Sequence, residues 1–309
     1  MARRVGILMG GPSCERDVSI KSGKAVYQAL YNKGIEAVCL ELEPRSDLNG
    51  YKGWVRKRII DSKIDVAFIA LHGEFGEDGS IQEILEGIKL PYTGSRVDAS
   101  KLGMDKIRSR YMFEAKKIPV PRYKLVQRLD KGIDPNIYFK ELGGDLVIKP
   151  YNGGSSIGLS IVDSEVGLDK ALKNAFRYSD TVIIEEYIKG REITVGILGD
   201  RPLPVVEIIP KKAFFDFEAK YEKDLTEYKV PANISVEQFE ESQKLALMAH
   251  TSLGARFFSR VDMILSDKAP IVLELNTIPG LTETSLLPKA SKAVGVEFED
   301  LVVKILGSA

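Results

Sequence analysis

Residues 260–280 read RVDMILSDKAPIVLELNTIPG, the most informative stretch of the chain. Apolar and polar residues alternate on both sides of a short polar turn, which predicts a β-hairpin. Because side chains alternate between the two faces of a strand, Arg260 and Asp262 share one face of the first strand. By the same rule, Glu274 and Asn276 share one face of the second strand. The hairpin therefore gathers an arginine, two carboxylates and a carboxamide on one face.

The polar face of this hairpin has the composition of a metal and phosphate site. Two carboxylates and a carboxamide are the hard oxygen donors that Mg²⁺ prefers, together with water and substrate phosphates. An arginine beside them would hold a phosphate group or a developing oxyanion. The alternative is a solvated face whose Asp and Glu side chains pair with nearby Lys or Arg, and for a hairpin taken alone this is the more frequent outcome.

The segment after the hairpin adds a candidate anion site. Gly280 can turn backbone N–H groups toward an anion, and the hydroxyl-rich residues 282–285, TETS, open a helix. A substrate carboxylate would fit at such a helix start.

Two segments upstream of the hairpin have features of a nucleotide site. Residues 149–158, KPYNGGSSIG, form a glycine loop after an apolar strand, and the bare backbone amides of such a loop approach phosphate closely. The loop lacks the spacing of a Walker A motif, and an ordinary hairpin turn is the alternative explanation. Residues 185–188, EEYI, end a strand and would bind an adenine edge and a ribose, with a solvated strand end as the alternative.

The first third of the chain repeats strand, polar loop and helix, which predicts a small doubly wound parallel sheet. Glu15 and His72 follow two of its strands, so both are predicted at the same edge of the sheet. The first helix is predicted to begin at Ser19. His250 lies within a helical stretch and is interpreted as a packed or surface residue. The strands are predicted at residues 5–9, 36–42 and 64–71.

The pattern changes to α+β beyond the first sheet. Residues 98–117 are predicted as one long helix that ends before Pro119 and Pro121. Further helices are predicted near residues 165–178 and 236–254. A first domain boundary is therefore placed near residue 97.

Composition narrows the class of protein. A chain of 309 residues with 44% hydrophobic residues can form two or three packed subdomains with a cleft between them. Lys+Arg and Asp+Glu both number 44, so no net charge draws the chain to nucleic acid or an anionic bilayer. There is no signal peptide pattern and no membrane-spanning apolar run. Cys14 and Cys39 lack the spacing of a redox or zinc site, and we expect a soluble protein of the reducing cytoplasm.

Six stretches, in this order along nearly the whole chain, resemble the D-alanine–D-alanine ligases: MGGPSCERDVS, LHGEFGEDGSIQ, the PYTGS-to-MDK segment, VIKPYNGGSSIG, EAKY, and RVDMIL to LELNTIPG. The resemblance implies an α/β ATP-grasp fold in three parts that ligates two D-alanines with ATP. The parts would be an N-terminal α/β substrate-binding domain (1–97), a central ATP-grasp subdomain (98–184) and a C-terminal subdomain (185–309) with a lid at 210–229. It also implies two Mg²⁺ ions, with Mn²⁺ as an alternative, K⁺ as a candidate monovalent cation, and a homodimer.

The resemblance assigns roles to individual residues. Asp262, Glu274 and Asn276 would be the metal ligands. The residues implied for catalysis are Glu15, Ser155, Tyr221, Arg260 and Gly280. Those implied for D-alanine binding are Glu15, His72, Ser285 and Leu286. Those implied for ATP binding are Lys106, Lys149, Ser155, Ser156, Glu185, Glu186, Ile188, Glu192 and Lys220.

Two residues depart from the family pattern, and three other functions stay open. Glu186 stands where a lysine is expected, and Phe257 stands where a small residue is usual. Within the class, a D-alanine–D-lactate ligase or another ATP-grasp carboxylate–amine ligase is the rival, and Tyr221 favours the dipeptide. From other classes, the rivals are a regulatory nucleotide-binding module and a nicotinamide enzyme, although the first glycine loop lacks G-x-G-x-x-G.

Overall fold

The structure is a computed structural model that describes residues 4–44, 48–129, 136–151, 157–210 and 226–309. In this part of the chain the strands form three sheets. No described helix is long and apolar enough to cross a bilayer.

The first sheet is parallel, as predicted, with strand order β2-β1-β3. Strands β1 and β3 are fully buried apolar runs, as expected for a parallel sheet, whereas β2 is half-buried. Gly23 lets the first helix lie close on β1, because a Cβ atom there would lie 2.5 Å from Met9 Sδ. The elements are β1 (Val5–Gly10), α1 (Arg16–Asn32), β2 (Ala37–Leu42), α2 (Leu48–Asp61), β3 (Val66–Ile69) and α3 (Ser80–Gly87).

The predicted start of the first helix is wrong. Helix α1 begins at Arg16, and Ser19 lies inside it, fully buried. The Ser19 hydroxyl accepts a hydrogen bond from Gly10 N (2.8 Å) and donates one to Ala70 O (2.8 Å). The Ser19 hydroxyl therefore joins helix α1 to the ends of β1 and β3 and does not cap the helix.

The predicted helix over residues 98–117 is two helices, α4 (Val97–Met104) and α5 (Lys106–Ala115). Asp105 interrupts them in an extended conformation, and its side chain caps α5 by accepting from Ile107 N (3.1 Å) and Arg108 N (2.8 Å). Lys106 is therefore the first residue of a new helix.

The second sheet is antiparallel, with order β4-β7-β5-β6. Two helices accompany it, and the helix predicted near residues 165–178 is found at Glu165–Ala175. The elements are β4 (Tyr123–Gln127), α6 (Asn136–Leu142), β5 (Leu146–Pro150), β6 (Ser160–Val162), α7 (Glu165–Ala175) and β7 (Thr181–Glu186).

The third sheet has order β11-β10-β8-β12-β13, with β9 paired to β8, and all its pairs are antiparallel. The predicted hairpin (β12–β13) and the helix predicted near 236–254 are confirmed. The elements are β8 (Arg191–Leu198), β9 (Arg201–Pro202), β10 (Val206–Pro210), β11 (Thr226–Lys229), α8 (Val236–Ser252), β12 (Phe258–Leu265) and β13 (Pro270–Asn276).

The chain ends with two helices, α9 (Leu286–Lys292) and α10 (Phe298–Leu306), that return to the first sheet. Helix α10 packs against α1, and Leu30 and Leu301 are buried together in one core. The same core contains Phe258 of the third sheet. The last helix of the chain therefore packs on the first. The division of the chain at residues 97 and 184 stays a proposal.

Candidate active site

A cavity of about 460 Å³ lies where the first sheet, helix α5 and the hairpin meet. Its wall includes loop residues from the N-terminal third and from the segment after β13. Among its lining residues are Glu15, His72, Lys106, Arg260, Glu274 and Gly280. The cavity thus brings together residues that the sequence predicts for substrate, phosphate and metal binding.

The polar face of the hairpin has the predicted register. Arg260 lies opposite Asn276, and Asp262 lies opposite Glu274. Arg260 donates from Nε to Asp262 Oδ1 (2.8 Å) and from Nη2 to Asp262 Oδ2 (2.7 Å). Asn276 Nδ2 donates to Asp262 Oδ2 (3.0 Å), and Thr194 Oγ1 donates to Asp262 Oδ1 (2.6 Å). The common face of the four polar residues is therefore confirmed.

The chemistry of this face fits a divalent cation. Lys106 Nζ lies 3.2 Å from Glu274 Oε2, and Arg260 contacts Asp262. Each of the two carboxylates therefore lies beside a cation. The carboxamide of Asn276 donates through its nitrogen, which leaves its oxygen as a donor atom for a metal. Two carboxylates and one amide oxygen on adjacent strands form a donor set suited to Mg²⁺ or Mn²⁺.

The N-terminal wall of the cavity carries Glu15 and His72. Glu15 precedes the first turn of α1. Gly73 makes room for it, because a Cβ atom at this left-handed residue (φ 68°) would lie 2.6 Å from Glu15 Oε2. His72 is buried, and burial lowers its pKa. Its Nε2 lies 2.9 Å from Ser22 Oγ and its Nδ1 3.0 Å from Ile278 O.

Glu77 is a residue of this wall that the sequence analysis did not single out. Its carboxylate accepts from Gly73 N (2.7 Å) and from Ile278 N (3.1 Å), and so joins the loop after β3 to the loop after β13. Burial, together with the nearby Glu15 carboxylate, raises the pKa of Glu77 to about 8. The sequence feature that could have identified Glu77 is its position within the polar stretch HGEFGEDG, residues 72–79.

A buried charge cluster marks the predicted nucleotide region. Lys149 Nζ lies 2.7 Å from Glu185 Oε1, and the Arg110 guanidinium contacts the other oxygen of Glu185. Arg110 is only 1% exposed and its guanidinium lies 5.0 Å from the Tyr123 ring. Burial raises the pKa of Glu185, but Lys149 and Arg110 outweigh it and hold that pKa below its ordinary value. Sequence reasoning missed Arg110, although it lies one helical turn after Lys106.

The remaining predicted nucleotide residues surround the end of β7. Glu186, the departure from the family pattern, accepts from Arg122 N (2.9 Å) and Arg122 Nε (2.8 Å). Its carboxylate is therefore engaged with the residue that precedes β4. The backbone N–H groups of Glu186 and Tyr187 also donate within the protein, to Arg122 O (3.0 Å) and Asp145 O (2.9 Å). Ile188 is half-buried, and Glu192 lies in β8 opposite Ile264.

The far wall carries the predicted carboxylate site. Ser285 is the N-cap residue of α9, and its hydroxyl accepts from Thr282 N (3.2 Å) and contacts Thr282 Oγ1 (2.8 Å). A Cβ atom at Gly280 would lie 3.1 Å from Ser285 Oγ, so a side chain at 280 would crowd this site. Leu286 lines the same cavity.

Phe257, the other departure from the family pattern, lies away from the cavity lining. Its φ is 64°, and its carbonyl accepts from Gly199 N (2.7 Å).

Part of the predicted site lies outside the described residues. This applies to Ser155, Ser156, Lys220 and Tyr221, whose roles stay predictions. Most of the lid predicted at 210–229 also lies outside, but its ends do not. Pro210 pairs with Thr226, and residues 226–229 are strand β11. Tyr228 packs against the core shared by α1 and α10 and lines the cavity, so this end of the predicted lid lies beside the site. The lid itself stays a prediction.

Comparison with known proteins places the chain among amino-acid ligases. Residues 112–307 match the family described as D-ala D-ala ligase C-terminus, and residues 53–95 match the D-ala D-ala ligase N-terminus. The chain is 42% identical over 308 residues to the D-alanine–D-alanine ligase of Geotalea uraniireducens, which covers 99% of this chain and 96% of the relative.

Solved structures agree with the sequence match. D-alanine–D-alanine ligase from Bacillus anthracis complexed with ATP has a TM-score of 0.85 at 32% identity and covers 99% of this chain and 97% of that one. The VanG D-Ala:D-Ser ligase from Enterococcus faecalis has a TM-score of 0.83 at 28% identity over 99% of each chain. The same architecture therefore serves enzymes that differ in their second substrate.

Proposed function

The chain belongs to the D-alanine–D-alanine ligase family, with the ATP-grasp fold, and we propose that it joins two D-alanines to D-alanyl-D-alanine while converting ATP to ADP and phosphate. The observation that carries the proposal is one cavity lined by Glu15 on one wall and by Arg260, Glu274 and Asn276 on the other, with Asp262 hydrogen-bonded to Arg260 and Asn276 on the same hairpin face. The product would serve peptidoglycan precursor synthesis, as the family resemblance implies.

The proposed reaction has two steps. A carboxylate oxygen of the first D-alanine attacks the γ-phosphorus of ATP, the bond to the β-phosphate oxygen breaks, and D-alanyl phosphate and ADP form. The amine of the second D-alanine then attacks the acyl carbon, loses a proton, and phosphate leaves. Glu15 would hold the ammonium group of the first substrate, and Ser285 with Leu286 the carboxylate of the second.

Both steps build negative charge, which the residues of the cavity can stabilise. A carboxylate and a phosphate about 4 Å apart repel each other by about 4 kcal/mol at an effective dielectric near 20. Lys106 and Arg260, which line the cavity, and Lys149, in the buried cluster with Glu185, are the cations that would offset this repulsion. Asp262, Glu274 and Asn276 would hold Mg²⁺, which when bound neutralises the β- and γ-phosphates. Arg260 and the Gly280 amide would stabilise the oxyanion of the tetrahedral intermediate.

Three further parts of the proposal follow the family resemblance: a homodimer, a cytoplasmic location and stimulation by K⁺. The lid would close over the acyl phosphate and exclude water. Its extent stays as predicted, residues 210–229. Ser155 and Tyr221 would join Glu15 in a hydrogen-bonded set beneath it.

The proposal is tested by phosphate release from MgATP with D-alanine, L-alanine, D-lactate or D-serine, alone and in pairs with D-alanine. We expect D-alanine alone to give D-alanyl-D-alanine, identified by mass, with one ADP and one phosphate per dipeptide. Phosphate release that D-alanine does not stimulate would reject the proposal. A mixed product formed in preference to the dipeptide would reassign the second substrate to D-serine or D-lactate.

A further inference from the structure

Helix α1 presents two fully buried serines, Ser19 and Ser22, that make equal numbers of hydrogen bonds but face different parts of the molecule. Ser19 joins Gly10 N and Ala70 O within the first sheet. Ser22 instead reaches the loop that follows the hairpin, where its Oγ accepts from Leu281 N (3.2 Å) and lies 2.9 Å from His72 Nε2.

The contacts of Ser22 and Ile278 fix the protonation of His72. Leu281 N–H can only donate, so Ser22 Oγ accepts there and has its own proton for a second partner. Burial lowers the pKa of His72, so its ring is neutral and carries one proton. Because Ile278 O can only accept, that proton lies on Nδ1, which donates to it (3.0 Å). Ser22 Oγ donates its own proton to Nε2. Both ring nitrogens of this neutral histidine are thus used by protein groups.

Glu77 completes a clamp on the peptide groups of Ile278. While His72 donates to the carbonyl oxygen of Ile278, Glu77 Oε1 accepts from its N–H (3.1 Å) and Oε2 accepts from Gly73 N (2.7 Å). The loop after β13 is therefore tied to the N-terminal wall at three points. All three lie within the four residues 278–281.

The clamp leaves one backbone N–H of residues 278–281 available to the cavity. The N–H of Ile278 and the N–H of Leu281 donate to protein groups, and Pro279 has no N–H. Among the hydrogen bonds within the described residues, Gly280 N–H donates to none. Gly280 also lines the cavity. The residues around it are held, and its own donor is left for a ligand.

We propose that Ser22 is a positioning residue that, through His72 and through its bond to Leu281 N, holds the Gly280 amide where it stabilises the oxyanion of the acyl-transfer step. This inference rests on the proposed function and deepens it, because it makes His72 a second positioning residue instead of a direct ligand of D-alanine. An amide held in advance costs no reorganisation when charge develops on the substrate.

The test compares Ser22→Ala with Ser19→Ala, which removes an equally buried hydroxyl with two hydrogen bonds from the same helix. Ser22→Ala should lower kcat about tenfold, less than the roughly 10²–10³-fold lost when an oxyanion donor is removed outright, because the Gly280 amide is displaced but not deleted. The KM for ATP should stay within about twofold of wild type. Ser19→Ala should lower thermal stability but leave kcat within about twofold. Should Ser22→Ala fail to fold, Ser22→Cys, with a weaker donor of similar size, replaces it under the same expectations.

A double-mutant cycle with His72→Ala gives the second readout. Because Ser22 acts in part through His72, Ser22→Ala should cost less in kcat once His72 is removed, whereas Ser19→Ala and His72→Ala should combine independently. Equal kcat values for the two serine variants, or additive losses for Ser22 and His72, would overturn the inference. A wild-type enzyme that makes no D-alanyl-D-alanine would reject the proposed function itself, a separate outcome.

Discussion

Arg260 has a fixed orientation because Asp262 accepts from two of its nitrogens at 2.8 and 2.7 Å. A bidentate pair of this kind orients the guanidinium as well as neutralising it. Arg260 also lines the cavity, where it would contact phosphate or an oxyanion. The Asp262 carboxylate thus orients Arg260, in addition to its proposed role as a metal ligand.

Replacement of this arginine gives the first prediction. Arg260→Ala should lower kcat by about 10²–10³, the typical loss for one oxyanion donor, as measured by steady-state phosphate release. Lys268→Ala, in the exposed turn of the same hairpin, is the matched control and should retain full turnover. Unchanged turnover in Arg260→Ala would remove the arginine from the mechanism.

Lys149 gives the second prediction, which concerns pH. Burial, with Arg110 and Lys106 nearby, lowers its pKa to about 8, while Glu185 opposes the shift. The ammonium form that can bind phosphate therefore predominates in the free enzyme below pH 8 and is lost above it. kcat/KM for ATP should fall about tenfold per pH unit above that value.

The control for this pH dependence is Lys149→Arg, because a guanidinium keeps its charge throughout the range. Measured between about pH 6.5 and 9.5, this variant should lose the decline at pH 8 even if its overall rate is lower. A decline that persists unchanged in Lys149→Arg would assign the titration to another group.

At the scale of elements, helix α5 carries two cations into the nucleotide region. Lys106 and Arg110 lie four residues apart, on the same face of the helix. Lys106 contacts Glu274 of the hairpin, and Arg110 contacts Glu185 of β7. The break at Asp105 sets the start of this helix, and Tyr151 at the beginning of the glycine loop donates to Asp105 Oδ2 (2.7 Å). One short helix therefore joins the second and third sheets.

The third prediction tests this helix. Arg110→Gln should raise the KM for ATP about tenfold or more, because Glu185 would then bind Lys149 as its single close cation and compete with phosphate. The free energy of unfolding should also fall by about 3–5 kcal/mol, the usual effect of removing one partner from a buried ion pair. The matched control is Arg108→Gln, at an exposed position of the same helix. Arg110→Lys should recover most of the ATP affinity.

A KM for ATP that is equal in Arg110→Gln and Arg108→Gln would limit Arg110 to a structural role. The comparison needs the KM for D-alanine in the same variants, since a general loss of folded enzyme would affect kcat without separating the two substrates.

The elements differ in how far the sequence predicts them. The hairpin was predictable because strict alternation places Arg260 and Asp262 on one face, and pairing follows from a short turn. The break at Asp105 was not, because helical periodicity continues through it and only a capping geometry reveals it. Arg110 and Glu77 were missed for a related reason: a single charged residue in a helix or loop does not indicate which sheet its partner comes from.

At the scale of the whole molecule, the chain closes on itself. Helix α10 is amphipathic, so its burial could be predicted, but periodicity does not say against which element it packs. The structure places it on α1 in a core that also includes Phe68 of the first sheet and Phe258 of the third. The active-site cavity lies between the same two sheets. Its walls therefore depend on a core built from both ends of the chain.

The fourth prediction follows from that shared core. Leu301→Ala, at a fully buried position of α10, should lower the free energy of unfolding by about 2–5 kcal/mol through lost burial and the cavity that remains. Urea unfolding should show one transition with a lower midpoint and an unchanged slope, because the first and third sheets lose the same support. Lys304→Ala, exposed on the same helix, should leave the midpoint unchanged. A second transition in Leu301→Ala, with ATP binding retained after the first, would show that the two sheets unfold separately.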